Sequence, residues 1–181
     1  MIIEKINSYY FINKIKEHNS IKEQILNSLK SSGDKINNLD HEQISKGDFF
    51  SNFDNQNSDT YFKFVFFNLK KYIEKISKKL KLSQWEIGRF WFQQYYKNDF
   101  HNWHIHPHCC YSNVYFVELP TKNMATQFYD PISKKIIKTL EVNEGDLLTF
   151  PSTIIHRSDK IKVNKRKTII SFNINYQKVD L

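Results

Sequence analysis

The sequence predicts a mainly β protein: helices come first, and a strand-rich second half forms a sandwich or barrel. Three observations lead there. From Leu82 onward, short aromatic and β-branched runs are separated by turn signals over about ninety residues. Before them, Phe62, Val65, Phe66, Leu69, Ile73, Ile76 and Leu80 recur at helical spacing. Hydrophobic residues make up 40% of the 181, which is enough to bury a core and too much for a disordered chain.

Taken in order, residues 1–12 are apolar and read as a first strand. A helix is expected from Asn19. Ser20 and Glu23 suit a capping box, Ile21, Ile25, Leu26 and Leu29 give one apolar stripe, and Ser31-Ser32-Gly33 ends it. Residues 33–58 are rich in Asn, Asp, Ser and Gln around Phe49, Phe50 and Phe53. They read as a long surface segment, either a lid or substrate loop or a plain connection pinned by aromatic contacts. Residues 59–81 are the strongest helix, capped by Asp59 or Thr60, with a lysine side toward water and an apolar side toward a sheet. Strands are expected over Trp85–Tyr95, Asn113–Pro120, Ala125–Tyr129, Lys135–Val142, Leu147–Phe150, Ile154–Arg157 and Lys167–Tyr176. No repeat or linker divides the chain. It reads as a single domain, with residues 1–82 a helical and loop part and 83–178 the β core.

The net charge of +8 invites a nucleic-acid partner, but it is almost all scattered lysine. Arginine, the residue of bidentate phosphate and guanine contacts, occurs only at 89, 157 and 166. A solvated basic surface is the better reading. Cys109 and Cys110 are adjacent and poorly placed for a disulfide, which suits a reducing compartment. No apolar leader or membrane-length run is present, so a cytoplasmic protein without a membrane partner is expected.

The chemistry gathers at Trp103-His104-Ile105-His106-Pro107-His108. Of seven histidines, His101, His104, His106 and His108 fall within eight residues. Imidazole is the commonest transition-metal ligand, and alternate residues of an extended strand share a face, so His104 and His106 can ligate together. Outside the cluster, His18 and His41 sit in polar sequence and are expected at the surface. His156 follows a β-rich run and can close a triad across two sheets. Ten residues further stands Arg166, a fork suited to the far carboxylate of a metal-chelating dicarboxylate, with Thr168 as a second donor. The competing reading makes Arg166 a surface strand residue amid lysines.

From about Trp85 to Tyr176 these motifs stand in a familiar order. His104-Ile105-His106 is followed by the strand Asn113–Pro120 and by Thr126-Gln127-Phe128. Then come Glu144-Gly145-Asp146-Leu147-Leu148-Thr149-Phe150-Pro151, His156 and Arg166-Lys167-Thr168. The set resembles the iron(II)/2-oxoglutarate-dependent oxygenases, most closely the small ones of bacteria and phages and more distantly the prolyl hydroxylases. The resemblance implies a double-stranded β-helix, that is, a jelly-roll or cupin-like barrel, with iron in its mouth. It also implies 2-oxoglutarate as co-substrate, ascorbate as an accessory reductant, and hydroxylation of a small molecule or peptidyl residue with release of succinate and carbon dioxide. His104, His106 and His156 would hold the metal. Arg166, Thr168 and Tyr115 would hold the oxo acid, with Asn173 facing the site.

One position departs from the family: His106 stands where a carboxylate is usual. The third ligand is then His106 itself, or His108 or His101 if Pro107 disturbs the alternation, or a carboxylate from elsewhere such as Asp130. Two rival functions remain open. One is a non-enzymatic cupin-like module that binds a metal or small acid. The other is a nucleic-acid binder resting on charge alone.

Overall fold

A computed structural model describes residues 8–50 and 60–179. Eleven strands form one curled antiparallel sheet. In chain order they are β1 (Phe11–Lys14), β2 (Asp34–Asn38), β3 (Glu42–Gly47), β4 (Leu82–Tyr95), β5 (Phe100–His104), β6 (Tyr111–Glu118), β7 (Gln127–Asp130), β8 (Lys135–Lys138), β9 (Asp146–Pro151), β10 (His156–Ser158) and β11 (Lys167–Val179). Helix α1 spans His18–Ser28 and α2 spans Thr60–Leu80. The hydrogen-bonded order is β1-β9-β6-β11-β4-β3-β5-β10-β7-β8, with β2 paired to β3. The sheet folds over on itself. Phe128 of β7 meets Phe150 of β9 edge-on at 4.9 Å, and Val114, Phe116, Leu148, Phe150 and Ile44 share one core.

Alternation along the two long strands decides which side chains face that interior. On β4, Phe90 and Phe92 point outward into a second core with Tyr61, Val65, Leu69 and Ile73 of α2. On β11, Ile170, Phe172 and Ile174 join them. Burying such a side chain contributes about 1.5–3 kcal/mol, so the apolar stripe of α2 clamps both strands from outside. Trp91, Gln93 and Tyr95 of β4, and Lys167, Ile169 and Ser171 of β11, line an interior recess instead. Tyr115 and Val117 of β6 belong to the outer core, and Val114 and Phe116 to the inner one.

The N-terminal part departs from expectation. Residues 33–58 hold a β-hairpin, β2–β3, with Asp34 opposite Gly47 and Asn38 opposite Glu42. Strand β3 then pairs with both β4 and β5, so the segment is built into the sheet. Its strands are short and polar, with Ile36 the one buried residue of β2, which hid them from a periodicity reading. Phe53 and Asp59 lie outside the described residues, as does most of the expected first strand, of which Phe11–Lys14 is present. Helix α1 begins at His18, and Ser20 is inside it, its hydroxyl bonded back to the Glu17 carbonyl; no side-chain cap closes the helix.

His18 is buried, contrary to its polar sequence context. Its Nδ1 is hydrogen-bonded to the Tyr115 hydroxyl at 2.7 Å, and its Nε2 stands 3.6 Å from Glu144. Gly145 makes this possible. Its φ is +86°, and a Cβ there would lie 2.8 Å from the His18 ring. Gly145→Ala is therefore expected to cost roughly 1–3 kcal/mol from backbone strain alone, with ring displacement added, read as a lower urea midpoint. Gly88→Ala, with no neighbour closer than 3.8 Å and no positive φ, is the matched control.

Candidate metal centre and oxo-acid recess

Strands β5 and β10 pair antiparallel with His104 directly opposite His156. The chain leaves β5 after His104, so His106 is placed by a loop and not by strand alternation. The His106 N–H donates to the Ser152 carbonyl at 3.0 Å, and the Ser152 N–H donates to the Cys110 carbonyl at 3.0 Å. These bonds fasten the turn after β5 to the turn after β9. The result is a triad: one ligand atom each from His104, His106 and His156 lies within 4.8 Å of the others.

The far side of each ring is occupied. His104 Nδ1 is 2.7 Å from the Asn102 carbonyl and His156 Nδ1 is 2.8 Å from the Ile154 carbonyl. A carbonyl only accepts, so both rings carry the proton on Nδ1 and present a bare Nε2. His106 Nδ1 is 2.9 Å from Asn173 Oδ1 and 2.8 Å from Ser112 Oγ, and Ser112 continues to Ser152 at 2.9 Å. Burial, and for His104 and His156 also the neighbouring imidazoles, lowers all three pKa values, His104 to about 4. The rings are thus neutral at physiological pH. This donor set fits a divalent transition metal: three imidazole nitrogens on one side, each oriented by an outer partner.

The expected oxo-acid clamp is arranged differently from the sequence reading. Arg166 turns to Glu118, with Nε 2.6 Å and a terminal nitrogen 2.9 Å from its two carboxylate oxygens, and Thr168 donates to the same carboxylate. Neither lines the recess. The physical reason is strand alternation: Thr168 falls on the face opposite Lys167, Ile169 and Ser171. Tyr115 is likewise on the outer face, held by His18. It is Lys167 that enters the barrel. It is 1% exposed, and its Nζ is 2.8 Å from Ser158 Oγ and over the rings of Tyr95 and Phe116. No carboxylate pairs with it among the described residues, and burial brings its pKa down to about 7. Lys167 shares a recess of about 30 Å³ with Tyr95, Ser158 and all three triad histidines.

On the other side of the triad lies a bowl of about 570 Å³. His101, His104, His106, Trp91 and Gln93 border both spaces. The bowl also takes His108, Asn173, Phe49, Phe50, and Asn38, His41 and Glu42 from the hairpin. His41, expected at the surface, meets the rings of His101 and His104 edge-on. His101 stacks on His104 at 3.8 Å and is not part of the convergent triad. The Trp91 indole N–H is buried with no acceptor among the described residues. Asp130 is remote: its carboxylate accepts from the Ile132 N–H and the Ser133 hydroxyl in the β7–β8 turn. Sequence reasoning missed Trp91, Gln93, Tyr95, Glu42 and Lys167. Alternation on β4 and β11 was the available signal for all but Glu42.

No protein-family model matches the chain, and no curated protein matches it in sequence. Solved structures do. The viral collagen prolyl hydroxylase vCPH of Paramecium Bursaria Chlorella virus-1, in complex with 2-oxoglutarate, is similar at TM-score 0.63 and 12% identity, over 94% of this chain and 97% of that one. HygX of Streptomyces hygroscopicus, with nickel and 2-oxoglutarate bound, is similar at TM-score 0.64 and 8% identity, over 93% and 83%. A prolyl hydroxylase of Trichoplax adhaerens, in complex with a hypoxia-inducible-factor peptide, is similar at TM-score 0.61 and 14% identity, over 92% and 82%. The fold is therefore that of the prolyl hydroxylases and related 2-oxoglutarate–iron(II) oxygenases. No helix among the described residues is long and apolar enough to cross a membrane.

Single alanine replacements of His104, His106 or His156 are expected to abolish tight Ni(II) or Co(II) binding in calorimetry. Asn173→Ala, which removes one of the two outer partners of His106 and leaves Ser112, should weaken it by up to about 10-fold. Arg166→Gln should leave it unchanged.

Proposed function

We propose that the protein is an Fe(II)- and 2-oxoglutarate-dependent oxygenase that hydroxylates a small molecule or peptidyl residue. The observation that carries this reading is the pairing of two features on one site: a three-nitrogen face, and beside it a buried lysine with no carboxylate partner among the described residues. Metal sites that store or brace are closed by protein ligands, whereas reactive ones keep open positions. Here three histidines converge, a recess borders all three, and a bowl borders His104 and His106. This favours an oxygenase over a cupin-like binding module. The sheet pairing of β1 with β9 and of β3 with β4 and β5 supports reading the N-terminal part and the β core as one oxygenase domain.

Each side chain has a task in this reading. His104, His106 and His156 would hold Fe(II) through Nε2. Lys167 would receive the distal carboxylate of 2-oxoglutarate, the role expected from sequence for Arg166, with the Ser158 hydroxyl beside it. Asn173 and Ser112 orient His106. Trp91 and Phe49 shield the bowl from water. Bound together, metal and oxo acid supply the chemistry: dioxygen puts one oxygen atom into a substrate C–H bond and the other into succinate, with loss of carbon dioxide.

Iron-loaded protein incubated with 2-oxoglutarate should release succinate slowly even without substrate. Absence of both oxo-acid binding and succinate would overturn the reading. Lys167→Met should abolish 2-oxoglutarate binding while Ni(II) binding persists, and Arg166→Gln should bind both.

The lysine also makes a pH prediction. Its folded pKa of about 7 lies below the ordinary lysine value of 10.5. Between those values the unfolded chain holds more protons at this site than the folded one, so stability rises with pH through that window. Without oxo acid, wild type should gain stability across that window relative to Lys167→Met, read as urea midpoints at several pH values. Saturating 2-oxoglutarate, which keeps the ammonium charged, should flatten that difference.

A further inference from the structure

The bowl contains a carboxylate that the proposed chemistry does not use. Glu42 begins β3, opposite His101 of β5. It is 7% exposed, and it borders both the 570 Å³ bowl and a neighbouring cavity of about 250 Å³. It is the one carboxylate among the described residues lining the bowl.

A buried carboxylate is costly unless cations or hydrogen-bond donors meet its oxygens. The other buried carboxylates of the described chain obey this. Asp48 accepts from the Tyr61 hydroxyl and the Phe92 N–H. Asp99 accepts from the Ser45 and Tyr96 N–H groups, and Asp146 from the Asn143 N–H and side-chain amide. The ion-pair partner of Glu42 among the described residues is His101, its Nε2 3.5 Å from Oε2 and so longer than a good hydrogen bond; burial pushes the carboxyl pKa up, while the neighbouring His41 draws it down. No lysine or arginine pairs with Glu42 among the described residues. Arg89, the bowl's permanent cation, lies 3.6 Å over the Phe49 ring and donates to the Phe49 carbonyl. A cationic group entering the bowl would meet this carboxylate directly.

A second metal ion is a poor candidate for it. Among the described residues only His104, His106 and His156 bring ligand atoms together, and His41, His101 and Glu42 do not converge likewise. An organic cation suits the surroundings better. The wall beside Glu42 is aromatic and amide in character, from Phe50, Trp91, Asn38 and Gln93, and such walls accept ammonium groups on ring faces and carbonyl oxygens.

We propose that Glu42 is the specificity-determining residue of the bowl and that the substrate carries a cationic amine, received by this carboxylate beside the His101 ring that stacks on His104. The oxidation of that substrate rests on the oxygenase reading, whereas amine recognition itself does not need turnover. The oxidised carbon would lie a few bonds from the amine, because Glu42 meets His101 and His101 stacks directly on the ligand His104.

The test is calorimetry on Ni(II)-loaded protein, with and without 2-oxoglutarate. The probes are n-butylamine, 1,4-diaminobutane, L-lysine and L-arginine, each set against 1-butanol or 1,4-butanediol. Wild type should bind at least one amine, more weakly at high salt, and should not bind the alcohols. Glu42→Gln should lose roughly 10–100-fold in affinity, the usual cost of a charged hydrogen bond. Glu42→Asp, which keeps the charge one methylene short, should lose less, and Ni(II) affinity should be the same in all three proteins. The inference is overturned if no amine binds wild type, if amines bind Glu42→Gln as well as wild type, or if alcohols bind equally. It is also overturned if wild type takes a second Ni(II) that Glu42→Gln does not. Failure of 2-oxoglutarate to bind while amines bind through Glu42 would sink the oxygenase reading and leave this one standing.

Discussion

The register of β5 against β10 is the constraint on which the rest depends. It sets His104 opposite His156, so two of the candidate ligands come from paired strands whose side chains cannot drift independently. A slip of one residue would send either ring to the other face of the sheet. The third ligand has no such support, because β5 ends at His104. His106 relies instead on the bonds between two turns, through Ser152 and Cys110, and on Asn173 reaching from β11. Strand β11 is thereby tied to the candidate metal centre through Asn173 and to the interior recess through the buried Lys167, and α2 holds it in place from outside.

Long, strongly patterned elements were legible in the sequence. Helix α2 and most of the strands from β4 to β11 follow from apolar periodicity and turn residues. The β2–β3 hairpin was not, because a polar hairpin with one buried side chain in β2 has no apolar alternation to read. His18 was misplaced for a related reason, and the contacts of the half-buried His41 were not foreseen. Local polarity says nothing of partners such as Tyr115 or His101, which are far away in sequence and near in space.

Lys167 shows two sequence signals in conflict. Motif spacing points to the charge ten residues after His156, and Arg166 has the better chemistry for a carboxylate. Alternation points one residue further. Ile170, Phe172 and Ile174 are the apolar even positions of β11, packed against the helices, so the odd positions Lys167, Ile169 and Ser171 must face the interior. Placing Asn173 and Thr168 on one site is inconsistent with that period. Arg166 keeps a structural task, since a bidentate pair with Glu118, joined by Thr168, fastens the start of β11 to the end of β6.

The replacement of a carboxylate by His106 bears on how the site would handle charge. Three neutral imidazoles leave the full positive charge of a divalent ion, and their outer partners are carbonyls, an amide and a hydroxyl, none of them anionic. Lys167 adds a further group that is stabilised when an anion is near. A dianionic oxo acid would then answer two demands at once, at the metal and at the ammonium. In a site with a carboxylate ligand, part of the first demand is already met. Because linkage is reciprocal, whatever the acid gains from the metal, the metal gains from the acid. In the proposed oxygenase, the three-histidine arrangement would thus make metal retention and co-substrate binding more interdependent than an aspartate in the place of His106 would. Glu42 would stand outside that exchange, separated from the candidate ligands by the His101 ring and facing the bowl.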